Sequence, residues 1–424
     1  MSELTPNPQS RSELRAQANA SSNPGLARHG QLPKPKAWPF VLGIIGGALA
    51  VLLVSGAAIG GIVYNQLFAT VQSNAVDISQ PTDAPIPAIG NIEGGFNILV
   101  VGSDTRLNQD GIGGSFEDES GNLNDVNMLL HVSQDQTNAV AISFPRDMVV
   151  DIPECPLLDE NGNPTGETKG YTTQPLNEAL SAGGLNCVVM TINELTGLPI
   201  QFAGVIEFTG VIAMGDAIGG VPVCVNGPIH DYNTGLMIDN AGTYTMLGVD
   251  ALAFLRTREH VGDGSDLGRI ASQQVYLSSL VRTLQSSDTL GDPKKVYDLA
   301  NAALTHMQLS TSLANPATMT AIALALKDIP LENITFVQYP GTTGGDGVYL
   351  GKVQPDTYTG DQLMAYVAAD QPFLLAAAGD GRGAEVDPNA PVTEPDPSLA
   401  DRPLLEGVTG TRADQYTCSI ANDY

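Results

Sequence analysis

The sequence predicts an α/β protein with a single mixed central sheet flanked by helices in three layers, preceded by an N-terminal transmembrane helix. Three observations favour this class. Short apolar runs such as FNILVVGSD end in polar residues, which is typical of buried strands. Longer segments carry the hydrophobic periodicity of helices. One run near the N-terminus is uncharged over the length of a bilayer.

The N-terminal part of the chain divides by composition into a tail, a membrane span and a stalk. Residues 1–37 are rich in Ser, Asn, Pro and Gln, which predicts a disordered cytoplasmic tail. Residues 38–65 are apolar, with Trp38 and Tyr64 near the ends, where amphipathic aromatic side chains prefer to lie. This run is too long and begins too late for a cleaved signal peptide. Residues 66–94 are polar and contain prolines, which predicts an extracellular stalk.

The distribution of charge predicts the orientation in the membrane. Five basic residues precede the apolar run, and the next basic residue along the chain is Arg106. Basic flanks stay on the cytoplasmic side, so we expect a single-pass protein of the cell membrane with an extracellular C-terminal domain. The part after the tail carries 14 basic and 44 acidic residues, a net charge of −30, which argues against nucleic acid as a partner.

Four cysteines fit an oxidising compartment, where disulfides persist. They form neither a CxxC motif nor a cluster with histidine, so a zinc site is not expected. Three pairings are open from the sequence. We favour Cys155 with Cys187, and with less support Cys224 with Cys418.

From Phe96 onward the sequence predicts one folded domain over residues 95–375. Two further strands, NMLLHVS and AVAISFPRD, follow the first. Residues 174–196 predict two short helices broken at Gly183 and Gly184. Pro and Gly punctuation makes LPIQFAGVIEFTGVIAMGDAIGGVPVCV a buried strand, helix and strand. The remaining predicted elements are helices at 249–255, 270–287, 294–307, 311–327 and 360–370 and a late strand, ITFVQYP.

The C-terminal residues 376–424 are acidic and rich in proline. Such a composition is typical of linkers, and we expect a linker and a C-terminal tail rather than folded elements.

The segment RTREHVGDGSDLGRIASQQ contains three arginines within a short stretch. Arg256 and Arg258 share one face of an extended segment, and Arg269 and Gln273 share one face of a helix. Arginine binds phosphate oxygens in a bidentate manner, so this pattern indicates an anionic ligand such as a pyrophosphate. The alternative is a set of surface ion pairs with Glu259, Asp263 and Asp266.

Charged residues also follow the predicted strands. Asp104, Arg106, Arg146 and Asp147 lie at carboxyl ends of strands, where ligands gather in open α/β sheets. Asp104 follows one predicted strand and Asp125 precedes another; if these strands are adjacent in the sheet, the two carboxylates could share a hard divalent cation. The chain has no GxSxG, HExxH or GxxxxGK[ST] motif, which leaves serine hydrolase, zinc peptidase and P-loop functions unsupported. The arginine segment and the strand ends must then lie within a pyrophosphate's reach of each other.

Seven segments in order resemble the LytR-CpsA-Psr (LCP) family of cell-wall glycopolymer transferases, of the actinobacterial type. The segments are NILVVGSDTR at 97–106, NDVNMLLHV at 124–132, SFPRDMVVDIP at 143–153, LNEALSAGG at 176–184, FTGVIAMGDAIGGVPVCV at 208–225, GVDALAFLRTREH at 248–260 and GSDLGRIASQQ at 264–274. The resemblance implies one α/β domain with an apolar groove for a polyprenyl chain. It also implies transfer of a glycopolymer from a polyprenyl-pyrophosphate carrier to peptidoglycan, with Mg²⁺ or Mn²⁺ as cofactor and the membrane as a further partner.

The resemblance also implies roles for individual residues. The metal is expected at Asp104 and Asp125. The residues expected to be catalytic are Asp104, Arg146, Arg256, Arg258 and Arg269. The residues expected to bind the pyrophosphate head are Arg106, Arg146, Arg256, Arg258, Asp266, Arg269 and Gln273.

The chain departs from the family's pattern at the rim of the site. Leu123 and Asn124 precede the second aspartate where many members have a basic residue. Pro175 stands where a lysine is common, and Ser272 where an arginine is common. Two other functions fit the same residues: a polyprenyl-pyrophosphate glycan hydrolase, in which water replaces the sugar acceptor, and a non-catalytic scaffold that binds lipid or wall.

Overall fold

The computed structural model describes residues 75–78, 94–105, 122–158, 164–286, 289, 292–391 and 399–422. The predicted tail, the predicted span at 38–65 and Arg106 lie outside these ranges. Within them, no helix has both the length and the hydropathy needed to cross a bilayer.

The described chain alternates strands and helices. The strands are β1 (Phe96–Ser103), β2 (Asn124–Val132), β3 (Ala139–Phe144), β4 (Val149–Ile152), β5 (Pro156–Leu158), β6 (Pro164–Glu167), β7 (Tyr171–Pro175), β8 (Phe202–Ile206), β9 (Val221–Val225), β10 (Ile229–Asp231), β11 (Leu236–Ile238), β12 (Gly242–Met246), β13 (Met307–Leu309), β14 (Ile334–Gln338), β15 (Gly341–Thr343), β16 (Val353–Pro355), β17 (Leu374–Leu375), β18 (Ala384–Val386), β19 (Leu404–Leu405), β20 (Gly410–Arg412) and β21 (Thr417–Ser419). The helices are α1 (Ala179–Thr196), α2 (Phe208–Ile218), α3 (Gly248–Arg256), α4 (Asp266–Gln285), α5 (Pro293–His306), α6 (Pro316–Lys327) and α7 (Thr357–Ala368). Single 3₁₀ turns occupy Leu176–Glu178, Leu331–Asn333 and Gly347–Tyr349.

The central sheet has the strand order β13-β8-β1-β2-β3-β14-β20. β1 runs parallel to β8, and β3 runs parallel to β14, whereas the other neighbouring pairs are antiparallel. The prediction of a mixed central sheet with helices is therefore confirmed.

Apolar side chains of the sheet alternate between two cores. Leu99 and Val101 of β1 pack into one core with Val188 and Ile192 of α1. Phe96 and Ile98 pack into the other core, together with residues of α4, α5 and α6. Successive side chains of a strand point to opposite faces, so helices cover the sheet on both sides.

Helix α1 is interrupted where the sequence predicts a break. Gly183 and Gly184 have non-helical backbone angles, and Gly184 has a φ of 69°, which favours glycine. The predicted strand, helix and strand are β8, α2 and β9, as expected. Helix α5 begins beside Asp292, whose side chain accepts a hydrogen bond from Lys294 N at 2.9 Å.

Four residues of the predicted stalk pack against the folded domain instead of standing apart from it. Val76 N donates to Leu309 O at 2.9 Å, and Val76 forms a parallel bridge with Ser310. Ile78 is buried in the core beneath α1. The apolar side chains of this short stretch explain why it is bound, although the surrounding composition is polar.

The prediction of an unfolded linker and tail after residue 376 is wrong for the described part of that region. Strand β20 extends the central sheet beside β14. Strands β18 and β21 join β9 and β12 in a second sheet of order β12-β9-β21-β18. Each of these C-terminal strands has three residues, too few for hydrophobic periodicity to register, and burial of Ala384, Thr411 and Cys418 holds them in place.

Both favoured disulfides are present. Cys155 bonds to Cys187, which joins the start of β5 to α1. Cys224 of β9 bonds to Cys418 of β21, its partner in the parallel register of the second sheet.

Candidate anion-binding site

The site begins where β1 ends and β2 starts. Asp104 follows β1, and its Oδ1 accepts a hydrogen bond from Leu123 N at 2.8 Å. The register slips at this point: Gly102 pairs with Val126 and Ser103 pairs with Asn124. Asp125 is therefore the extra residue of a β-bulge, a device that redirects side chains next to functional sites.

Arg146 extends from the loop after β3 to this bulge. Its Nη1 donates to Asp125 Oδ1 at 2.7 Å. Its backbone N donates to Asp266 Oδ2 at 3.0 Å, which ties the loop to the first residue of α4. Asp266 is only 3% exposed, so this contact belongs to the interior and not to the surface.

Arg269 approaches the same bulge from the opposite direction. Ser265 caps α4 by accepting a hydrogen bond from Gly268 N at 3.1 Å, and this fixes the first turn, which carries Arg269. Arg269 Nη2 lies 2.6 Å from Asp266 Oδ1 and donates to Asp125 O at 2.9 Å. Arg146 and Arg269 thus both contact Asp125. The charged residues at the strand ends and those of the arginine segment, which were predicted to lie close together, are in contact.

Asp147 forms a second centre of charge next to the first. Its carboxylate lies 3.8 Å from Arg146 Nε, 3.7 Å from Arg258 Nη2 and 3.3 Å from Lys352 Nζ. The side chains of Arg258 and Lys352 are 37% and 35% exposed, whereas that of Asp147 is 13% exposed. Asp147 therefore holds two partly solvated cations at the rim of the site.

The sequence places Asp147 at a strand end, where ligands gather, but gives it no role. It gives no signal for Lys352. Lys352 is a single lysine in a turn, and no local pattern distinguishes it. It reaches the site because Val353 N donates to Asp147 O at 3.0 Å, and Val353 forms a bridge with Met148.

Two other predicted residues contact the neighbouring helices. The guanidinium of Arg256 lies 4.5 Å from the centre of the Phe208 ring, a cation–π contact with the start of α2. Gln273 is buried, and its Nε2 donates to Leu255 O at 2.8 Å near the end of α3. Gln273 thereby fixes α4 against α3. Arg106, the remaining predicted residue, lies outside the described residues.

The sequence also allowed surface ion pairs between the arginines and nearby carboxylates. One such pair is present, but it lies in the interior. Arg269 pairs with Asp266, and both are almost fully buried. Burial alone would lower the pKa of Arg146. The nearby carboxylates, Asp125 first and then Asp147 and Asp266, have the larger combined effect, so the pKa of Arg146 is raised. Arginine side chains are protonated throughout the physiological pH range, so the positive charge of Arg146 is permanent there.

The arginines retain unused hydrogen-bonding capacity. Among the residues that the structure describes, Arg146 Nε and Arg269 Nε are buried and have no acceptor within hydrogen-bonding distance. Arg146 Nε lies 3.8 Å from Asp147 Oδ2 and 3.9 Å from Asp266 Oδ1. Buried donors without acceptors cost about 1–3 kcal/mol each. Two such donors on neighbouring guanidinium groups suit a ligand with several anionic oxygens, which can accept from both.

The donors available for a metal are carboxylate oxygens of Asp104 and Asp125. Mg²⁺ is bound in proteins through one or two carboxylates, with phosphate and water supplying the other ligands. The chemistry of this pair fits that ion. The one cluster of three potential metal ligands found in the described ranges is Cys224, Asp387 and Cys418, whose sulfurs form a disulfide and cannot act as thiolates.

The arrangement can bind and neutralise a compact polyanion. Four cationic side chains, those of Arg146, Arg258, Arg269 and Lys352, surround Asp125 and Asp147. Fixed charges of this kind stabilise negative charge that develops during transfer of a phosphoryl group.

Comparisons with known proteins show which sequences and structures the chain resembles. The profile of the LytR_cpsA_psr family matches residues 62–365. The cell wall biosynthesis protein LcpA of Corynebacterium glutamicum is 29% identical over 276 residues, covering 61% of this chain and 52% of the relative. The polyisoprenyl-teichoic acid–peptidoglycan teichoic acid transferase TagT of Bacillus subtilis is 23% identical, covering 76% of this chain and 91% of the relative.

The chain spans little more than half the length of the two corynebacterial relatives, LcpA and the probable cell wall biosynthesis protein LcpB, at 52% and 57%. Among solved structures, the LytR-Csp2A-Psr enzyme from Actinomyces oris superposes with a TM-score of 0.50 and 20% identity, over 69% of this chain and 94% of that one. TagV of B. subtilis gives a TM-score of 0.50 at 18% identity, over 65% of this chain and 97% of that one. At these identities the likeness concerns the fold.

Proposed function

The chain belongs to the LytR_cpsA_psr family, and on that premise we propose that it is a phosphotransferase that moves a glycopolymer from a polyprenyl-pyrophosphate carrier to peptidoglycan. Relatives named as teichoic acid transferases of peptidoglycan and as cell wall biosynthesis proteins support this class of reaction. The glycopolymer-linked lipid is the donor, and a sugar hydroxyl of peptidoglycan is the acceptor.

The observation that carries the proposal is the pair of guanidinium groups at the bulge, of which that of Arg269 is buried and that of Arg146 is partly buried. Arg146 and Arg269 both contact Asp125, and each has an Nε donor without an acceptor in the described chain. The oxygens of a pyrophosphate can accept from both groups at once. Arg258 and Lys352 at the rim extend the positive surface outward, where an anionic or phosphate-bearing glycan would lie.

The chemistry requires charge neutralisation more than a covalent nucleophile. The acceptor hydroxyl oxygen forms a bond to the glycan-side phosphorus, and its proton passes to water or to the leaving phosphate. The bridging P–O bond breaks, and the lipid phosphate leaves with the electron pair of that bond. Arg146 and Arg269 bind non-bridging oxygens before and during this step. Because packing fixes both side chains in advance, little reorganisation is needed as the charge grows.

We also propose that Asp104 and Asp125 hold a Mg²⁺ or Mn²⁺ ion when the substrate is bound. Such an ion would supply additional positive charge to the phosphate oxygens. The bulge at Asp125 and the hydrogen bond from Leu123 N to Asp104 Oδ1 support this proposal, because both orient carboxylates where β1 ends and β2 begins.

The proposed location is the outer face of the cell membrane, with residues 38–65 as the anchor. Two disulfides, Cys155–Cys187 and Cys224–Cys418, support an extracellular domain, because disulfides persist in oxidising compartments and are rare in the cytosol.

The test is a transfer reaction with the full-length chain, a polyprenyl-pyrophosphate glycan, peptidoglycan fragments and Mg²⁺. Mass spectrometry should detect a covalent glycan–peptidoglycan product together with lipid phosphate. Arg269→Ala should lower the rate by about 10²–10³, the usual loss for one preorganised donor. Arg412→Ala is the control, because Arg412 pairs with Asp414 at the edge of the central sheet and should leave the rate unchanged.

Two outcomes would contradict the assignment. Release of lipid phosphate without a covalent product would indicate a hydrolase, and tight lipid binding without turnover would indicate a scaffold.

A further inference from the structure

Two stretches near the C-terminus pack against the segment that carries the arginines. We define the arginine loop as residues 256–265 and the C-terminal brace as residues 380–386 together with 417–422. The family profile ends at residue 365, so the brace lies beyond the matched region. Its composition predicts a tail, yet it is folded onto the loop.

Backbone hydrogen bonds join the brace to the loop. Gly262 N donates to Ile420 O at 2.7 Å, and Asn422 N donates to His260 O at 3.0 Å. Val261 forms an antiparallel bridge with Ala421. The loop, which contains Arg258, is therefore paired along one edge with the last described residues of the chain.

Glycines allow the two segments to approach more closely than side chains would permit. A methyl group added at Gly383 would lie 2.0 Å from Gly268 O, in the first turn of α4. A methyl group at Gly262 would lie 2.6 Å from Arg382 O. The brace is thus in direct backbone contact with the turn that carries Arg269.

A chain of polar contacts runs from the brace to the cap of α4. Asp380 Oδ1 orders the turn by accepting from Arg382 N at 2.9 Å and Gly383 N at 2.8 Å. Arg382 Nε lies 3.3 Å from Asp263 Oδ2. Asp263 Oδ1 accepts from Ser265 N at 2.9 Å and also from the Ser265 hydroxyl. Ser265 is the cap of α4. These polar contacts therefore connect the brace to the helix that bears Arg269.

The brace is also held by contacts with α4 and β9. Ser419 Oγ lies 2.8 Å from Ser272 Oγ of α4, in the interior. The adjacent Cys418 is bonded to Cys224 of β9. The disulfide therefore anchors β21, and β21 in turn contacts α4 one turn after Arg269.

We propose that the C-terminal brace is a positioning element for the anion site, which holds Arg258 and Arg269 in the geometry that binds the phosphate groups. Gly383 and Arg382 are its positioning residues: Gly383 sets the distance to α4, and Arg382 fixes the cap through Asp263. The inference rests on the proposed function in one respect, that these arginines bind an anion. Its structural part, the dependence of the arginine loop on the brace, stands independently.

The test compares two glycine substitutions in the full-length chain. Gly383→Ala should displace the first turn of α4. Gly95→Ala is a matched control, because its added methyl would lie 2.5 Å from Val132 O, at the end of β1 opposite to Asp104. Both variants should lose stability. Gly383→Ala alone should speed amide hydrogen exchange across residues 256–270 and weaken binding of inorganic pyrophosphate by about tenfold.

A second pair of variants guards against misfolding. Arg382→Ala should show the same two effects in weaker form, and Arg382→Lys should restore binding because it retains the charge facing Asp263. Equal exchange of residues 256–270 in both glycine variants would overturn the inference. Faster exchange with unchanged pyrophosphate affinity would overturn the positioning role. If the unsubstituted chain fails to bind pyrophosphate, the proposed function is wrong, and hydrogen exchange still decides whether the loop depends on the brace.

Discussion

Lys352 lies at the rim of the site and is joined to it by a single carboxylate. Its Nζ is 3.3 Å from Asp147 Oδ1, and Arg258 contacts the other oxygen of the same group at 3.7 Å. Both cations are more exposed than Arg146 and Arg269, so each contributes less to binding than these two arginines. We expect Lys352 to attract the substrate and not to stabilise the transition state.

Replacing Lys352 with alanine should raise the KM for the lipid-linked glycan about two- to fivefold, the range for one exposed charge, with little change in kcat. Steady-state kinetics at low and high salt would measure this, and the difference from the unsubstituted chain should shrink at high salt because the charge is screened. Lys352→Arg is the matched control and should behave like the unsubstituted chain. A collapse of kcat at constant KM would mean that Lys352 acts on the reacting atoms instead.

Single residues were predictable where a local pattern marks them. Arg256, Arg258 and Arg269 stand in one short segment, and Asp104 and Arg146 follow apolar strands. Lys352 has no such signal, because only the bridge between Val353 and Met148 brings it to the site. Long-range contacts of this kind arise from the fold, and no pattern in the adjacent sequence predicts them.

Helix α4 is the element on which the site depends most. Its first turn carries Asp266 and Arg269, and Ser265 caps it through Gly268 N. An N-cap side chain satisfies one of the backbone donors that the first turn leaves without a partner, and so keeps that turn from fraying. The position of Arg269 therefore depends on Ser265 as well as on its own ion pair.

Ser265→Ala should lower the free energy of unfolding by about 1 kcal/mol, the usual cost of losing an N-cap. Urea denaturation of the full-length chain would measure this change. Ser286→Ala, at the other end of the same helix, is the control. Its hydroxyl donates to Thr283 O in the last turn, and its loss should cost less than about 0.5 kcal/mol. Equal losses in the two variants would show that the cap contributes nothing particular to α4.

Elements were predictable when they were long and periodic. Helix α4 is expected from residue 270 and begins at Asp266, because its first turn is polar and carries no periodicity. Strands β18, β20 and β21 were not expected, because three residues within an acidic, proline-rich region resemble a linker. Their burial depends on partners β9 and β14, which come from distant parts of the chain.

At the scale of the whole molecule, the sheet brings together two groups that are far apart in the sequence. Arg146 comes from the loop after β3, and Arg269 comes from α4, yet both contact Asp125 between them. The mixed sheet was predictable from its apolar strands, and the meeting of the two groups was predictable as a requirement of the ligand. The support from the C-terminal brace was not, because it comes from a region whose composition indicates no fold.

The central claim is that Arg146 and Arg269 bind one pyrophosphate together. The most direct measurement is nuclear magnetic resonance of the arginine Nε–H groups of the full-length chain during titration with inorganic pyrophosphate. Arg146→Lys and Arg269→Lys would assign the two signals. Because both Nε donors are buried without an acceptor in the described chain, both signals should shift, with the same apparent Kd. Signals that do not move, or that respond with different Kd values, would contradict the claim.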